Sequence, residues 1–322
     1  MSSARWVSPL RYPGGKGRMA ASLADLFEAQ FGTMDIEVWA EPFAGGAGAG
    51  LHLLDRGVIA EFWMTEKNPA LAAFWRTVAS NSAELAARVL ACEPDMDAWY
   101  AARAVVGAAE NGAVSEDLDL ALAALIVNRC SRSGMVQTSG VGPIGGKNQT
   151  GADHLRARWN SEGLADRITA IGRLGGRIRV AEGDAIASIA ELDGSVGIEE
   201  ELFVFVDPPY LGQGNRLYAV GMSADDHKAL AVALTECAAR WLLTYDCDDH
   251  ILELYPDHRI FAYPIPHSAN QFRIEEEYAV LSHNLSVRDD QNLLPVGDSR
   301  WVQRGPETCA KVEPIPESCL VQ

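Results

Sequence analysis

The chain has 322 residues, 48% of them hydrophobic and 22% charged, and a formal net charge of −17. These are globular values, and they exclude disordered, collagen-like and repeat-only chains. The longest aliphatic run, Leu120 to Val127, is far short of the roughly 18 residues of a membrane helix, and the first residues lack a secretory apolar core, so a soluble cytoplasmic protein is expected.

Residues 36–40 read as a short apolar strand ending at Glu41-Pro42. A Gly/Ala-rich turn follows, then a helix over 50–55, a strand over 60–65 ending at Glu66, and a helix over 68–79. This alternation predicts βαβ units and a parallel sheet. The pattern changes at residue 82. Residues 82–128 are Ala-rich with helical periodicity, and 131–151 form a long loop with Gly140, Gly142, Gly145, Gly146 and Gly151. A loop of that length in a compact domain is usually functional. Alternation resumes with a strand over 177–181. Residues 202–206 form a continuous apolar run, as in a strand buried on both faces. Residues 240–245 repeat that pattern, 259–263 and 277–282 suggest a hairpin, and the pattern fades after about 286. The expected organisation is one α/β catalytic domain (1–81 and 177–285), an insertion (82–176) and a C-terminal tail (286–322).

The net charge hides a segregation. Residues 1–18 hold four basic and no acidic side chains, and residues 129–179 hold nine basic and three acidic ones. The acidic whole argues against nucleic acid, but an acidic body with one basic face fits it. A solvated Arg-rich surface explains the same counts. The six cysteines, at 92, 130, 237, 247, 309 and 319, contain no Cys-x-x-Cys pair, so reduced thiols are expected.

The most informative segment is Asp207-Pro208-Pro209-Tyr210, directly after the buried strand. Open α/β sheets bind ligands at the carboxyl ends of their strands. Two prolines fix φ twice and remove two N–H donors, leaving carbonyls as acceptors. An exocyclic amine needs two acceptors for its hydrogens and a ring on which its base can stack, and this tetrapeptide offers both. A second segment, Glu41-Pro42-Phe43-Ala44-Gly45-Gly46-Ala47-Gly48-Ala49-Gly50, joins the first strand to a helix, where glycines let a ligand approach the backbone. It misses the dinucleotide pattern, because Leu51 stands at the third glycine position. Glu66, 25 residues after Glu41, ends the next strand, where an acid commonly bonds ribose hydroxyls. A third segment, Arg11-Tyr12-Pro13-Gly14-Gly15-Lys16-Gly17, is no phosphate loop, since Leu10 and Gly17 stand where Gly and Ser/Thr are required. Lys16 remains suited to a carboxylate.

In chain order, from the Gly-Gly-Lys segment to the Asp207 tetrapeptide, the segments resemble the D12-type, Dam-like family of S-adenosylmethionine-dependent DNA adenine-N6 methyltransferases, over about residues 8–284. The resemblance implies a Rossmann-like mixed seven-stranded methyltransferase sheet with an inserted helical and loop target-recognition domain. It implies catalytic Asp207, Pro208 and Tyr210, with Asp207 and the Pro208 carbonyl taking the amine hydrogens and Tyr210 stacking on a flipped base. Cofactor residues would be Tyr12 and Lys16 at the methionine part, Glu41, Phe43 and Gly45 at the binding loop, Glu66 at the ribose, Asp184 at the adenine ring, and Asp207. Arg129, Arg132, Lys147, Arg156 and Arg158 would contact DNA. Asn128, Arg129 and Gly134 fit the family's Asn-Arg segment, but Arg132 or Ser133 stands where an aromatic is usual, so the family's GATC target is not carried over. The implied partner is duplex DNA, with room for a cognate restriction nuclease, and no membrane or metal.

Asp225, Asp226 and His227, with Asp246, Asp248, Asp249 and His250, invite a metal site, but Ser223-x-x-Asp226 resembles a helix capping box, and acids also suit the helix start after 246. Gly142 to Gly146 reads as a DNA-facing turn or a plain surface loop. The competing functions are a same-fold methyltransferase acting on RNA or a protein amide, a non-catalytic DNA- or cofactor-binding module, and a nicotinamide oxidoreductase, which the failed glycine pattern disfavours.

Overall fold

In a computed structural model of the chain, the residues described are 8–12, 14–24, 37–193, 202–211, 221–267, 273–285 and 298–305. Five strands run parallel: β1 (Val38–Glu41), β2 (Glu61–Glu66), β3 (Ile178–Glu182), β4 (Leu202–Val206) and β5 (Arg240–Asp246). Three join antiparallel: β6 (Arg259–His267), β7 (Arg273–Leu281) and β8 (Arg300–Gln303). The sheet order is β3-β2-β1-β4-β5-β7-β6-β8. The mixed α/β architecture is as expected, with one correction. The sheet has eight strands rather than seven, because Arg300–Gln303, in the expected tail, pairs with β6. Its sequence, Arg-Trp-Val-Gln, is short and only partly buried, so it lacks the apolar run that marks β4.

The central strands are apolar because both faces are covered. On one face Trp39 stacks on Phe203 and Phe205 at 4.9 and 5.5 Å, beneath α1 (Gly48–Arg56) and α2 (Pro69–Ser80). On the other, Val204, Val206, Trp241 and Leu243 pack under α7 (Ala185–Asp193), α8 (Ala224–Glu236) and α9 (Asp249–Leu254). Helix starts follow their sequence signals. The Asn68 side chain accepts from Ala70 N and Leu71 N ahead of Pro69, and Ser223 and Asp226 form a reciprocal capping box.

Between β2 and β3 lie α3 (Ser82–Ala91), α4 (Met96–Glu110), α5 (Asp117–Cys130) and α6 (Ser161–Gly172). Their apolar faces (Leu85, Trp99, Leu125, Ile168) belong to the same buried cluster as Phe62 and Trp75 of the sheet side. Residues 131–151 are tied down rather than free. Ser131 bridges Pro143, Ile144 N donates to Cys130 O, and Gln149 Nε2 donates to Ile144 O at 2.7 Å. Pro143 and Ile144, in the segment read as a DNA-facing turn or a plain surface loop, are buried. Among the described residues no helix is long and apolar enough to cross a membrane.

Candidate active site

The strand order places a topological switch between β1 and β4. From β1 the chain steps outward to β2 and β3, and from β4 it steps the other way to β5. Connections leaving two such neighbours diverge, which opens a crevice at their carboxyl ends. Ala40 pairs with Val204, so the glycine turn after β1 and the Asp207–Tyr210 loop after β4 leave the sheet almost level with one another.

The Tyr12 segment is seated on the glycine turn. A Cβ at Gly45 would lie 2.7 Å from the Tyr12 ring, and one at Gly46 would lie 2.7 Å from Tyr12 Cβ. Gly45 also holds φ +45° and donates its N–H to Glu66 Oε2 at 3.0 Å, while its carbonyl accepts from Trp75 Nε1. A side chain at Gly48 would press on Gly17, 3.0 Å away. Glycines therefore suit these positions, where the Tyr12 side chain and the Gly17 backbone close on the turn. Helix α1 starts at Ala47 with no side-chain cap and no acid in its first turn.

Lys16 leaves this segment and enters the crevice, where it is 4% exposed. Its Nζ donates to Asp207 Oδ1 at 2.8 Å, Tyr210 OH at 2.6 Å and Gly14 O at 3.1 Å, and Glu277 Oε2 lies 3.5 Å away. Burial opposes its charge, but Asp207 and Glu277 outweigh it and hold the lysine pKa above its ordinary value. Asp207 Oδ1 also accepts from Thr244 Oγ1 at 2.7 Å and from Tyr210 OH at 3.2 Å. Three donors thus converge on one carboxylate oxygen, while Oδ2 has no hydrogen bond among the described residues and the side chain is 22% exposed. Oδ1 is fixed by three donors, and the side chain as a whole keeps part of its surface exposed. Burial, then the charges of Asp207 and Glu277, push the Tyr210 phenol well up, so it stays protonated as a donor. Pro208 is buried and Phe43 half-buried, in the cluster that also packs Tyr210.

The other acids serve the loops. Glu41 is 5% exposed, and its Oε1 accepts from Gly50 N at 2.7 Å and Trp39 Nε1 at 3.0 Å. Burial pushes its carboxyl up to about 7. Glu66 accepts from Gly45 N and Asn68 N at 3.0 and 2.9 Å, and burial raises it too. Asp184 is the more exposed. Oδ1 accepts from Ile186 N and Ala187 N at the start of α7, and Oδ2 pairs with Lys67 at 3.1 Å. Tyr12, Lys16, Phe43, Gly45, Glu66, Asp207, Pro208 and Tyr210 therefore gather at neighbouring strand ends. Asp184 stands at their margin, and Glu41 lies beneath the turn.

Asn128 is fully buried. Its Oδ1 accepts from Arg11 N and its Nδ2 donates to Arg11 O, both at 2.8 Å, and Nδ2 also donates to Gly134 O. It clamps the Tyr12 segment to the insertion, so a residue read as part of target recognition also supports the crevice. Arg11 adds contacts to the carbonyls of Ser131 and Arg132. Arg132, Lys147, Arg156 and Arg158 are exposed, whereas Arg129 is half-buried, with Nε on Arg158 O at 2.8 Å. Burial, then Arg11, Arg167 and Arg158, push Arg129 down to about 10. Sequence reasoning missed Thr244, Glu277 and Tyr263. Their only local signal is polarity inside strands, and their partners lie far away along the chain.

The proposed metal cluster has other uses: Asp226 completes the cap of α8, and Asp248 caps α9. Among the described residues no group of three or more His, Cys, Asp or Glu is arranged to hold a metal ion.

The family model of D12 class N6 adenine-specific DNA methyltransferases matches residues 12–267, from Tyr12 to the end of β6. The chain belongs to that family. The match spans the glycine turn, the insertion and the Asp207 loop, so the general chemistry of this D12-class methyltransferase is methylation of DNA adenine at N6. A search of curated proteins finds no match.

Proposed function

We propose that the chain transfers a methyl group from S-adenosylmethionine to N6 of an adenine turned out of duplex DNA. The observation that carries the reading is Asp207. One oxygen is held by Thr244, Lys16 and Tyr210, and the partly exposed side chain sits at the switch point beside the glycine turn.

The residues present fit the cofactor. The first turn of α1 has no capping side chain and suits a carboxylate. Glu66 keeps lone-pair capacity beyond its backbone bonds for a ribose diol. Tyr12 and Lys16 would flank the methionine part, Phe43 and Gly45 would line the turn that Glu41 shapes from beneath, and Asp184 would hold the adenine edge. The cofactor supplies a methyl group on a cationic sulfur, which keeps the electron pair of the broken bond.

The amine's lone pair is delocalised into the adenine ring. Asp207 Oδ2 and the Pro208 carbonyl accept its two hydrogens, which localises that pair on nitrogen and aligns it. The carboxylate then stabilises the positive charge that develops on nitrogen before a proton leaves. Tyr210 stacks on the extruded base. Arg129, Arg132, Lys147, Arg156 and Arg158 hold phosphates, while the loops of the insertion read base edges. The mutually repelling arginines support this, because a phosphate relieves their repulsion.

The test incubates the chain with methyl-labelled S-adenosylmethionine and unmethylated mixed-sequence duplex DNA, then analyses the nucleosides. Labelled N6-methyladenine is expected. Label confined to RNA offered in parallel, or no label at all, rejects the reading.

A further inference from the structure

One buried charge at the crevice has no part in the proposed reaction. Glu277 lies on β7, opposite Asp246 of β5 and Tyr263 of β6, and is 1% exposed. Its Oε2 accepts from the Tyr263 hydroxyl and stands 3.5 Å from Lys16 Nζ. Its Oε1 is buried with no hydrogen-bond partner among the described residues. Such a carboxylate is costly unless a nearby charge compensates it, and Lys16 is the cation paired with it. An ammonium has three hydrogens, and those of Lys16 go to Gly14 O, Asp207 Oδ1 and Tyr210 OH. Glu277 stands farther off at 3.5 Å, where it adds a second negative charge beside the lysine.

Consider the crevice without it. Lys16 would face Asp207 one to one and cancel the negative charge that should meet a developing cation. With Glu277 present, two carboxylates share one ammonium, and the cluster keeps an excess negative charge at the partly exposed Asp207. We infer that Glu277 is a positioning residue for methyl transfer, sharing the charge of Lys16 so that the lysine fixes the Asp207 side chain without neutralising it. The inference rests on the reading of Asp207 as the amine's acceptor.

The groups facing Glu277 are Lys16 from the N-terminal segment, Asp207 and Tyr210 after β4, Tyr263 on β6 and Cys247 after β5. Burial raises its carboxyl, against the pull of Lys16 and Tyr263. Charge sharing requires the ionised form, so the methylation rate should fall as acid protonates it.

The test measures single-turnover methylation by the full chain, with labelled S-adenosylmethionine and unmethylated mixed-sequence duplex DNA. Glu277→Gln should slow transfer about ten-fold, less than the roughly hundred-fold or greater loss for a group touching the developing charge. Cofactor affinity should stay within about two-fold, since binding is not what Glu277 supports. Glu277→Asp should recover part of the rate, and the acid-side fall of the wild type should move to lower pH in Glu277→Gln. In a Lys16→Met background, Glu277→Gln should cost nothing further, because no lysine charge is left to share. A wild-type rate in Glu277→Gln, or the same loss with and without Lys16, overturns the inference. Should Glu277→Gln fail to melt cooperatively, Lys16→Met/Glu277→Gln, which removes both charges, is compared with Lys16→Met. Equal rates support the inference, and a further ten-fold drop overturns it. A wild type that makes no N6-methyladenine rejects the Asp207 reading, and this inference with it; an active wild type beside an unaffected Glu277→Gln rejects the inference alone.

Discussion

At the carboxyl ends of β1 and β4, Lys16 is ringed by Asp207, Glu277, Tyr210 and the Gly14 carbonyl, and opposite charges raise its pKa despite burial. In the insertion, Arg129 is half-buried among Arg11, Arg158 and Arg167, and burial with like charges lowers its pKa to about 10. Both regions withdraw a cation from water. Of these two cations, only Lys16 is paired with carboxylates among the described residues. An internally balanced cluster fixes geometry, because each group holds its neighbour. An unbalanced one keeps its attraction for an outside anion, which on the proposed reading is a DNA phosphate. The two regions meet at Arg11, because Asn128 at the end of α5 holds its backbone and its guanidinium reaches the Ser131 and Arg132 carbonyls, five residues ahead of Lys16.

The sharpest way to break this contrast is Asp207→Asn. It keeps the shape but removes the charge on which Lys16, Thr244 and Tyr210 converge. The single-turnover rate is expected to fall roughly 10²–10³-fold, with cofactor affinity by calorimetry largely retained. A near wild-type rate would remove Asp207 from the chemistry.

Glu41 sharpens the contrast within the crevice, because it is a buried carboxylate with no cation paired to it among the described residues. Its folded pKa of about 7 lies above its ordinary 4.5. The folded state therefore binds more protons than the unfolded one between these values, and stability is lost as pH rises through that window. At about 1.4 kcal/mol per pKa unit, the loss from pH 4.5 to 7 is about 3 kcal/mol. Glu41→Gln keeps the acceptor for Gly50 N and Trp39 Nε1, so urea denaturation should show a flatter pH dependence and greater stability at pH 8. An unchanged slope would show that another group sets it.

A smaller effect is expected at Gly46, where a Cβ would lie 2.7 Å from Tyr12 Cβ. Gly46→Val should cost about 1–3 kcal/mol by overpacking. Because the strain falls on Tyr12, S-adenosylmethionine affinity by calorimetry should drop with it. Loss of stability without loss of affinity would separate Tyr12 from the cofactor.

Much of the sheet and the crevice was legible because local signals and tertiary environment agree. Residues 202–206 are apolar throughout and lie buried on both faces. Ser223 and Asp226 spell a cap and form one, and Asp207 and the glycine turn each follow a strand that could be seen. What was hidden depends on distance along the chain or on context. Lys16 meets Asp207 across 191 positions. Glu277 follows Glu275 and Glu276, which are exposed, so the triplet reads as one charged stretch although its last member turns inward. Strand β8 lacks an apolar run, and its pairing with β6 depends on an edge that only the folded sheet presents. The buried Pro143 and Ile144 were equally hidden, because a Gly-rich spelling does not reveal that Gln149 and Cys130 fasten the loop.

The arginine side of the contrast is tested by salt. Arg158 is exposed, and its carbonyl rather than its guanidinium holds Arg129, so Arg158→Met should leave the fold and the crevice intact. Removing one phosphate-binding side chain lowers the slope of log affinity against log salt by about 1. Duplex binding measured over a range of salt should show that reduction in Arg158→Met. At saturating DNA the methylation rate should stay within about two-fold, because a uniform binding interaction does not alter the chemical step. An unchanged slope would mean that Arg158 meets no phosphate. A rate that collapses at saturation would mean that the insertion shapes the crevice more directly than the Asn128 clamp requires.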